Sequence, residues 1–145
     1  MNFDFTEEQT MIMDGISRYV REEYDFDVRR IIKDSNDGYS KEVWRRFSEL
    51  GWLSIPFDEV YGGFGGNTDD LASVMIELGK GAIIEPYVAS IVLFGALINE
   101  SSNESLKKEI IPKIINGDYK GSFAYIEEQS RFEITDIKTS ATKCN

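Results

Sequence analysis

A short run of glycines is the part of this sequence that most resembles a ligand-binding motif. Gly62, Gly63, Gly65 and Gly66 fill four of five consecutive positions. A glycine-rich loop can cradle a phosphate when a strand precedes it, a helix follows it and the G-x-G-x-x-G or G-x-x-x-x-G-K-[ST] spacing is kept. Here Thr68 stands where the third glycine belongs, and no lysine follows. The spacing therefore favours a structural turn between two helices over a nucleotide-binding loop.

The composition excludes several other kinds of chemistry. The 145 residues include no histidine, so Ser-His-Asp and Cys-His catalysis within the chain is excluded. The single cysteine, Cys144, cannot form an internal disulfide, and a zinc site is not expected. A formal net charge of -10 argues against nucleic acid or an anionic membrane as partner. Because no leader-like segment follows Met1 and no uncharged stretch reaches membrane-spanning length, we expect a cytoplasmic protein.

Helical periodicity predicts two elements before the glycine run. Thr6 and Gln9 make a capping box, and apolar residues at helical spacing extend a first helix to about Tyr24. Ser40 is the predicted cap of a second helix, which Gly51 is placed to end. Both apolar faces are expected to enter the core.

Three further helices are predicted after the glycine run. Thr68 is the expected N-cap of the first of them. Residues 87–98 contain no charged side chain, which predicts a central helix buried on most of its circumference. The last helix begins at about Ser102 and ends at about Ile114, and Pro112 is expected to kink or break it.

Beyond Gly121 the character of the sequence changes. The segments SFAYIE and FEITDIKTSATK are rich in aromatic and β-branched residues, which favour strands. Two such segments are too few to close an independent sheet. The sequence therefore predicts a mainly α chain of five or so helices, followed by the opening of a β region.

Four segments, in this order and spacing, resemble the acyl-CoA dehydrogenase family: FTEEQ, LGWLSIPFDEVYGGFGG, IPKIINGD and GSFAYIEEQ. Within that family the likeness is to small subunits of the pimeloyl-CoA dehydrogenase type. The resemblance implies the N-terminal helical domain, of about five to six helices, over residues 1–119. It implies that residues 120–145 begin a middle β-domain that is incomplete in this chain.

The resemblance also implies an activity. Family members carry FAD, oxidise the α,β carbon–carbon bond of acyl-CoA thioesters and assemble as oligomers. The glutamate base of the family lies on a C-terminal bundle that this chain does not reach, so we assign no catalytic residue and expect no turnover by the chain alone. We expect it to act in a homo- or hetero-oligomer with dehydrogenase subunits. The alternatives are a non-catalytic helical module that pairs with a longer dehydrogenase subunit, and a purely structural domain.

The resemblance implies an acyl-chain site on the central helix. Pro86, Ala89, Ser90 and Leu93 follow one another at i, i+3, i+4 and i+7 and would face the fatty chain. The small side chains of Ala89 and Ser90 would leave room for it. The alternative is that all four residues pack against neighbouring helices.

The resemblance implies flavin contacts in the segment that follows. The predicted cofactor contacts are Phe123, Tyr125, Ile126 and Phe132, with Arg131 on the substrate side. Where the family usually has Thr-Glu-Pro and then Gly-Ser, this chain has Ile126 and the bulky pair Arg131 and Phe132. The side-chain hydroxyl contact to flavin is therefore lost, while the backbone groups of Tyr125 and Ile126 remain able to bind it. Arg131 would pair with a phosphate or a carboxylate, or be a solvated surface arginine.

Overall fold

The computed structural model describes residues 4–143, and in these it is mainly helical, as predicted. The elements in chain order are α1 (Glu7–Glu23), α2 (Phe26–Lys33), α3 (Lys41–Glu49), a short 3₁₀ turn (Glu59–Tyr61), α4 (Thr68–Lys80), a π-helical segment (Val88–Gly95), α5 (Ala96–Asn99) and α6 (Glu104–Ile115). The π-helical segment leads directly into α5, and the two together are called the central helix. Across the described residues we find no helix with the length and apolarity needed to span a bilayer.

The predicted capping box starts α1. The Thr6 side chain accepts from the backbone N–H of Gln9, and the Gln9 side chain accepts from that of Thr6. Gln9 also donates from Nε2 to Asp70 of α4 over 2.9 Å. At the other end of the two helices Val20 lies against Gly81. Because the N-terminal ends of the two helices are in contact and their C-terminal ends are too, α1 and α4 pack side by side in a parallel orientation.

The cap of α4 lies one residue earlier than the predicted Thr68, which is the first residue of the helix instead. Asn67 accepts hydrogen bonds from the backbone N–H groups of Asp69 and Asp70, over 2.7 and 3.2 Å. The Asp70 side chain in turn accepts from the Asn67 N–H. An asparagine oxygen in this extended geometry caps the helix directly, so the threonine is free to be helical.

The helix α2 is absent from the sequence prediction. The Asp25 side chain caps it by accepting from Val28 N–H over 2.9 Å. Ile32 is buried, whereas Phe26 and Ile31 are exposed. The local signals were the acidic cap and the apolar pair Val28 and Ile32, four residues apart, but eight residues make only about two turns over which to identify a period.

The core joins these helices through aromatic side chains. Tyr19 of α1, Phe47 of α3 and Trp52 of the following turn are in mutual ring contact, with centroids 5.1–5.9 Å apart. Leu53 and Phe57 continue this core into the irregular segment before the glycine run. The expectation that the apolar faces of the first and second predicted helices form core is confirmed.

The glycine run is a structural turn tied to this buried segment. All five amides of residues 62–66 donate to main-chain carbonyls. Three of them reach the buried segment, namely Phe64 to Ser54, Gly65 to Phe57 and Gly66 to Ile55, over 3.1, 2.7 and 2.8 Å. Amides that are already bonded to the protein cannot cradle a phosphate. At Gly63 a β-carbon would overlap the Phe57 carbonyl, so only glycine fits this close approach.

The central helix is less buried than predicted. Ile91 and Ile98 are buried, but Val88, Leu93 and Leu97 are 36–46% exposed. A charge-free helix was expected to be covered on most of its circumference, and in the described chain one side of it remains open. That open side is an apolar surface without a protein neighbour among the described residues.

The helix α6 runs without a break through Pro112, so the expected break is not formed. A proline lacks the N–H that would bond the carbonyl of Lys108 one turn earlier. Lys108 is exposed, which leaves its carbonyl open to water. The helix therefore tolerates the proline on its solvent side.

The predicted strands after Gly121 are not formed in the described residues, which hold turns there instead. Short hydrogen-bonded turns follow one another, such as Ser130 N–H to Glu127 and Glu133 N–H to Ser130. β-Branched residues favour a pleated surface only where a neighbouring strand exists to pair with them. No such neighbour is present in residues 4–143.

Tyr87 fixes the start of the central helix to the core. Its side chain is 2% exposed, and its hydroxyl donates to the Trp52 carbonyl over 2.8 Å. Burial raises the pKa of Tyr87 well above the ordinary phenol value. The folded state therefore favours the protonated phenol at any pH where an unfolded tyrosine would ionise.

Gly63→Ala should destabilise the protein by about 3 kcal/mol, because the new methyl group forces the glycine turn away from Phe57. Gly15→Ala is the matched control, since a β-carbon there, in the middle of α1, meets nothing within 4 Å. The control should raise the free energy of unfolding by about 0.5–1 kcal/mol through helix propensity. Urea denaturation measures both, and equal effects of the two substitutions would contradict the tight turn.

Tyr87→Phe should lower the free energy of unfolding at pH 7 by about 1–2 kcal/mol, because the Trp52 carbonyl loses its buried partner. A raised folded-state pKa gives stability that is complete below about pH 10 and is lost as the pH rises above it. The substitution should therefore also flatten the fall of stability above pH 10 by up to about 1.4 kcal/mol per pH unit. Urea titrations at pH 7 and at pH 10–11.5 test both effects. Tyr119→Phe, which removes an exposed phenol, should change neither.

Candidate functional site

The two sets of residues predicted for ligand binding meet at one junction. Ser90 of the central helix donates from its hydroxyl to the Gly121 carbonyl over 3.1 Å. Gly121 also lies so close to the Phe94 ring that a β-carbon would overlap it. The central helix thus holds the beginning of the segment that carries the predicted flavin contacts.

The four predicted acyl-chain residues are divided by the structure. Ser90 is 1% exposed and is used in the junction, whereas Leu93 is 36% exposed. Pro86 and Ala89 are half-buried. The prediction assumed α-helical spacing, but a π-helix has a wider turn, so residues seven apart do not share one face in the same way. The role of these residues in acyl binding stays a prediction.

Sequence reasoning missed two further apolar residues on the open side of the central helix. Val88 and Leu97 are both exposed, like Leu93. Together with the half-buried Ala89 they form an apolar strip, and this name is kept for these four residues. The absence of charge from residues 87–98 was the available signal, but it was read as burial within the chain.

The predicted flavin contacts are all exposed. The rings of Phe123 and Tyr125 contact each other with centroids 5.8 Å apart. Ile126 is 61% exposed and Phe132 is fully exposed. Within the described residues, neither the N–H nor the C=O of Ile126 has a protein hydrogen-bond partner. The segment thus exposes three aromatic rings and one unpaired peptide edge.

Arg131 lies in a conformation that non-glycine residues seldom adopt. Its φ is 50°, and its side chain is exposed. No acid among residues 4–143 lies within ion-pair distance of its guanidinium. A solvated arginine and an anion-binding arginine share this geometry, so the predicted substrate contact stays a prediction.

One acid of this segment, Glu127, is held by a set of donors that sequence reasoning missed. Its Oε1 accepts from the N–H and the hydroxyl of Thr139, over 3.0 and 2.5 Å. Its Oε2 accepts from Lys138 N–H over 2.8 Å and from Gln129 Nε2 over 2.6 Å. These bonds, of which the Thr139 hydroxyl is the largest influence, lower the pKa of Glu127 to about 2. We call this arrangement the Glu127 clasp.

No group of three or more potential metal ligands is present among residues 4–143. A groove of about 330 Å³ lies between α1, α2 and α3, and its lining includes Glu23, Arg46 and Ile31. None of the predicted site residues lines that groove, and its mixed charge does not suit an acyl chain. The arrangement at the junction can bind and orient a ligand, but it offers no placed acid or base.

Comparison with known proteins agrees with the fold and the residue pattern. The profile of the family "Acyl-CoA dehydrogenase, N-terminal domain" matches residues 6–118. A probable acyl-CoA dehydrogenase, YngJ of Bacillus subtilis, is 27% identical over 97% of this chain. The mitochondrial isovaleryl-CoA dehydrogenase of Bos taurus is 27% identical over 94% of it. The chain spans 37% and 33% of the lengths of these two relatives.

Solved structures share the fold. The ChsE4-ChsE5 complex from Mycobacterium tuberculosis contains a chain that superposes with a TM-score of 0.76 at 22% identity, covering 83% of this chain and 33% of that one. Apo-form PigA superposes with a TM-score of 0.81 at 20% identity, covering 99% of this chain and 39% of that one. With the family profile matching most of its length, this chain belongs to the acyl-CoA dehydrogenase family.

Proposed function

We propose that this chain supplies acyl-chain contacts and part of the flavin site of an FAD-dependent acyl-CoA dehydrogenase. The proposal rests on the junction of Ser90 and Phe94 with Gly121, which attaches the start of the exposed aromatic segment to the helix that carries the apolar strip. A fatty chain needs an apolar surface such as the strip, and a flavin ring suits the exposed aromatic segment. Two relatives named as acyl-CoA dehydrogenases, one of them an isovaleryl-CoA dehydrogenase, support the substrate class.

The acyl contacts are proposed on the apolar strip. An alkyl chain is stabilised by roughly 0.8 kcal/mol for each methylene that leaves water. Leu93 and Leu97 offer the necessary apolar surface, and Ala89, about one turn before Leu93, has a small side chain that leaves space. Ser90 contributes indirectly, since its hydroxyl is committed to the junction. Pro86 begins the helix and sets where the strip starts.

The flavin contacts are proposed on the segment after the junction, and the residues present fit the group in part. The unpaired peptide edge of Ile126 suits the polar edge of a flavin ring, and the exposed rings of Phe123, Tyr125 and Phe132 suit its apolar faces. When bound, FAD supplies the acceptor for the hydride that leaves the β-carbon. This chain would orient that group and exclude water from one side of it.

The catalytic base is proposed to come from outside the 145 residues. Proton abstraction needs a positioned group with a suitable pKa, and no residue at the junction provides one. We therefore propose that the chain does not turn over alone. We also propose that residues 1–119 form the helical domain, and that residues 120–145 become the first strands of a middle β-domain once paired. The pimeloyl-CoA small-subunit type and a cytoplasmic location belong to the same proposal.

The test uses a matched pair of substitutions at equally exposed apolar residues. Leu93→Asp places a charge in the apolar strip, whereas Ile76→Asp places one on α4, where Ile76 is 41% exposed. An acyl-CoA ligand that binds the folded chain raises its melting temperature. Thermal-shift titration with acyl-CoA thioesters of increasing chain length should show a shift that Leu93→Asp abolishes and Ile76→Asp leaves unchanged.

Two results would contradict the proposal. Equal loss of the melting-temperature shift in both variants would show that the acyl site does not lie on the central helix. Stoichiometric yellow flavin together with acyl-CoA oxidation by the wild-type chain alone would refute the proposed lack of turnover. Absorbance at flavin wavelengths and a dye-reduction assay measure these directly.

A second candidate function is a non-catalytic module that pairs with a longer dehydrogenase subunit. The observation that favours it is the number of exposed apolar side chains after Gly121, among them Phe132, Ile134 and Ile137. Surfaces of this kind attract other chains when left uncovered. The same surface serves the first proposal if the covering subunit completes the active site.

Association through this surface is tested by removing its apolar side chains. The double variant Phe132→Ser with Ile134→Ser should remain monomeric at concentrations where the wild type associates. The control, Phe26→Ser with Ile31→Ser, removes two exposed side chains of the same types from α2 and should associate like the wild type. Sedimentation velocity at several concentrations decides between them, and a monomer in all three samples would refute self-association through this surface.

A further inference from the structure

Glu127 is bound at its main chain as well as at its side chain. Its backbone N–H donates to Ser130 Oγ over 3.1 Å, and the Ser130 hydroxyl donates back to the Glu127 carbonyl over 2.8 Å. Ser130 is 5% exposed, so water does not compete freely for these bonds. The side chain meanwhile closes the clasp on Lys138 and Thr139. One residue therefore fixes both ends of the loop of residues 127–139.

These bonds determine the direction of a neighbouring group. The peptide between Ile126 and Glu127 is planar and trans, so its C=O points opposite to its N–H. Because the Glu127 N–H is bound to Ser130, the Ile126 carbonyl is directed to the other side of the segment. That carbonyl has no protein partner among the described residues. It is held in place yet left free to accept a hydrogen bond.

We propose that Glu127 is a positioning residue for the polar edge of a flavin. Its N–H bond to Ser130 directs the Ile126 carbonyl, and its clasp holds the loop in which Ser130 lies. The inference rests on the proposed function, since it assigns the ligand of that same segment. Glu127 does not touch the ligand itself. It acts through the loop, and the acidic side chain is needed because four donors converge on two oxygens that a neutral side chain does not have.

Another acid in the same loop, Glu133, makes only local contacts. Glu133 accepts only from the N–H and the hydroxyl of Thr135, two residues away. It therefore stabilises one local turn and does not tie distant parts of the loop together. Glu133→Ala is thus a matched control for Glu127→Ala, with the same change of charge in the same segment.

Amide hydrogen exchange tests the clasp in the full chain without any ligand. In Glu127→Ala the amides of Lys138 and Thr139 should exchange about tenfold faster, because they lose their acceptor. In Glu133→Ala these two amides should keep their wild-type rates, while that of Thr135 becomes faster. Unchanged rates at 138 and 139 in Glu127→Ala would overturn the clasp. Helical circular dichroism confirms that residues 7–115 stay folded in each variant.

A double-mutant cycle separates the clasp from general loosening of the loop. Thr139→Val removes one donor, and its effect on the exchange of Lys138 should disappear when Glu127 is already alanine. Additive effects would mean that Thr139 acts independently of Glu127 and would overturn the clasp. The conservative variant Glu127→Gln keeps one of the two accepting oxygens and should restore part of the protection.

Flavin binding tests the positioning role. FAD titrated into the wild-type chain, followed by quenching of flavin fluorescence, should bind about tenfold more tightly than in Glu127→Ala, and equally to Glu133→Ala. Equal affinity in Glu127→Ala, with its exchange accelerated, would overturn the positioning role and leave the proposed function standing. If the wild type binds no FAD, the proposed flavin site and the positioning role are both wrong. The hydrogen-exchange data test the clasp independently of that result.

Discussion

A buried segment without regular helix constrains the rest of this structure. Residues 52–57 cross the core between α3 and the glycine run, and Leu53, Ile55 and Phe57 are at most 2% exposed. Buried peptide groups must find partners, and outside a helix these must come from other parts of the chain. The glycine run supplies the amides, and Tyr87 supplies a hydroxyl to the Trp52 carbonyl. The shape of the glycine turn follows from what this segment needs.

The same segment connects the core to the candidate site. The Phe57 ring packs against Gly95 of the central helix, and the neighbouring Phe94 packs against Gly121. Ser90 completes the link with its bond to the Gly121 carbonyl. The glycine run is thus a structural turn that helps to fix the helix from which the proposed ligand-binding segment departs.

The sequence predicted most of the features that depend on neighbouring residues, with α2 and the Asn67 cap as exceptions, and missed those that depend on distant residues. The caps Thr6 and Ser40 each bond to the third following residue, so a short stretch of sequence is enough to predict them. The clasp joins Glu127 to Thr139 across twelve positions, and no short pattern records it. The residue types after Gly121 favour strands, but a strand also needs a pairing partner, and residues 4–143 do not supply one. The π-helical turn likewise follows from packing, not from periodicity.

The distribution of charge indicates which parts of an acyl-CoA ligand this chain would bind under the proposed function. Coenzyme A carries phosphates, and a chain with a net charge of -10 repels them at long range. The apolar strip, in contrast, lies in a stretch with no charged residue, and Arg131 is an exposed cation without an ion pair among the described residues. An acyl chain and a peptide-bound flavin edge need no acid, base or metal from this chain. Under the proposed function, a chain without histidine would take part in this chemistry by shaping the site, and proton transfer and most recognition of the anionic head group would come from residues other than these.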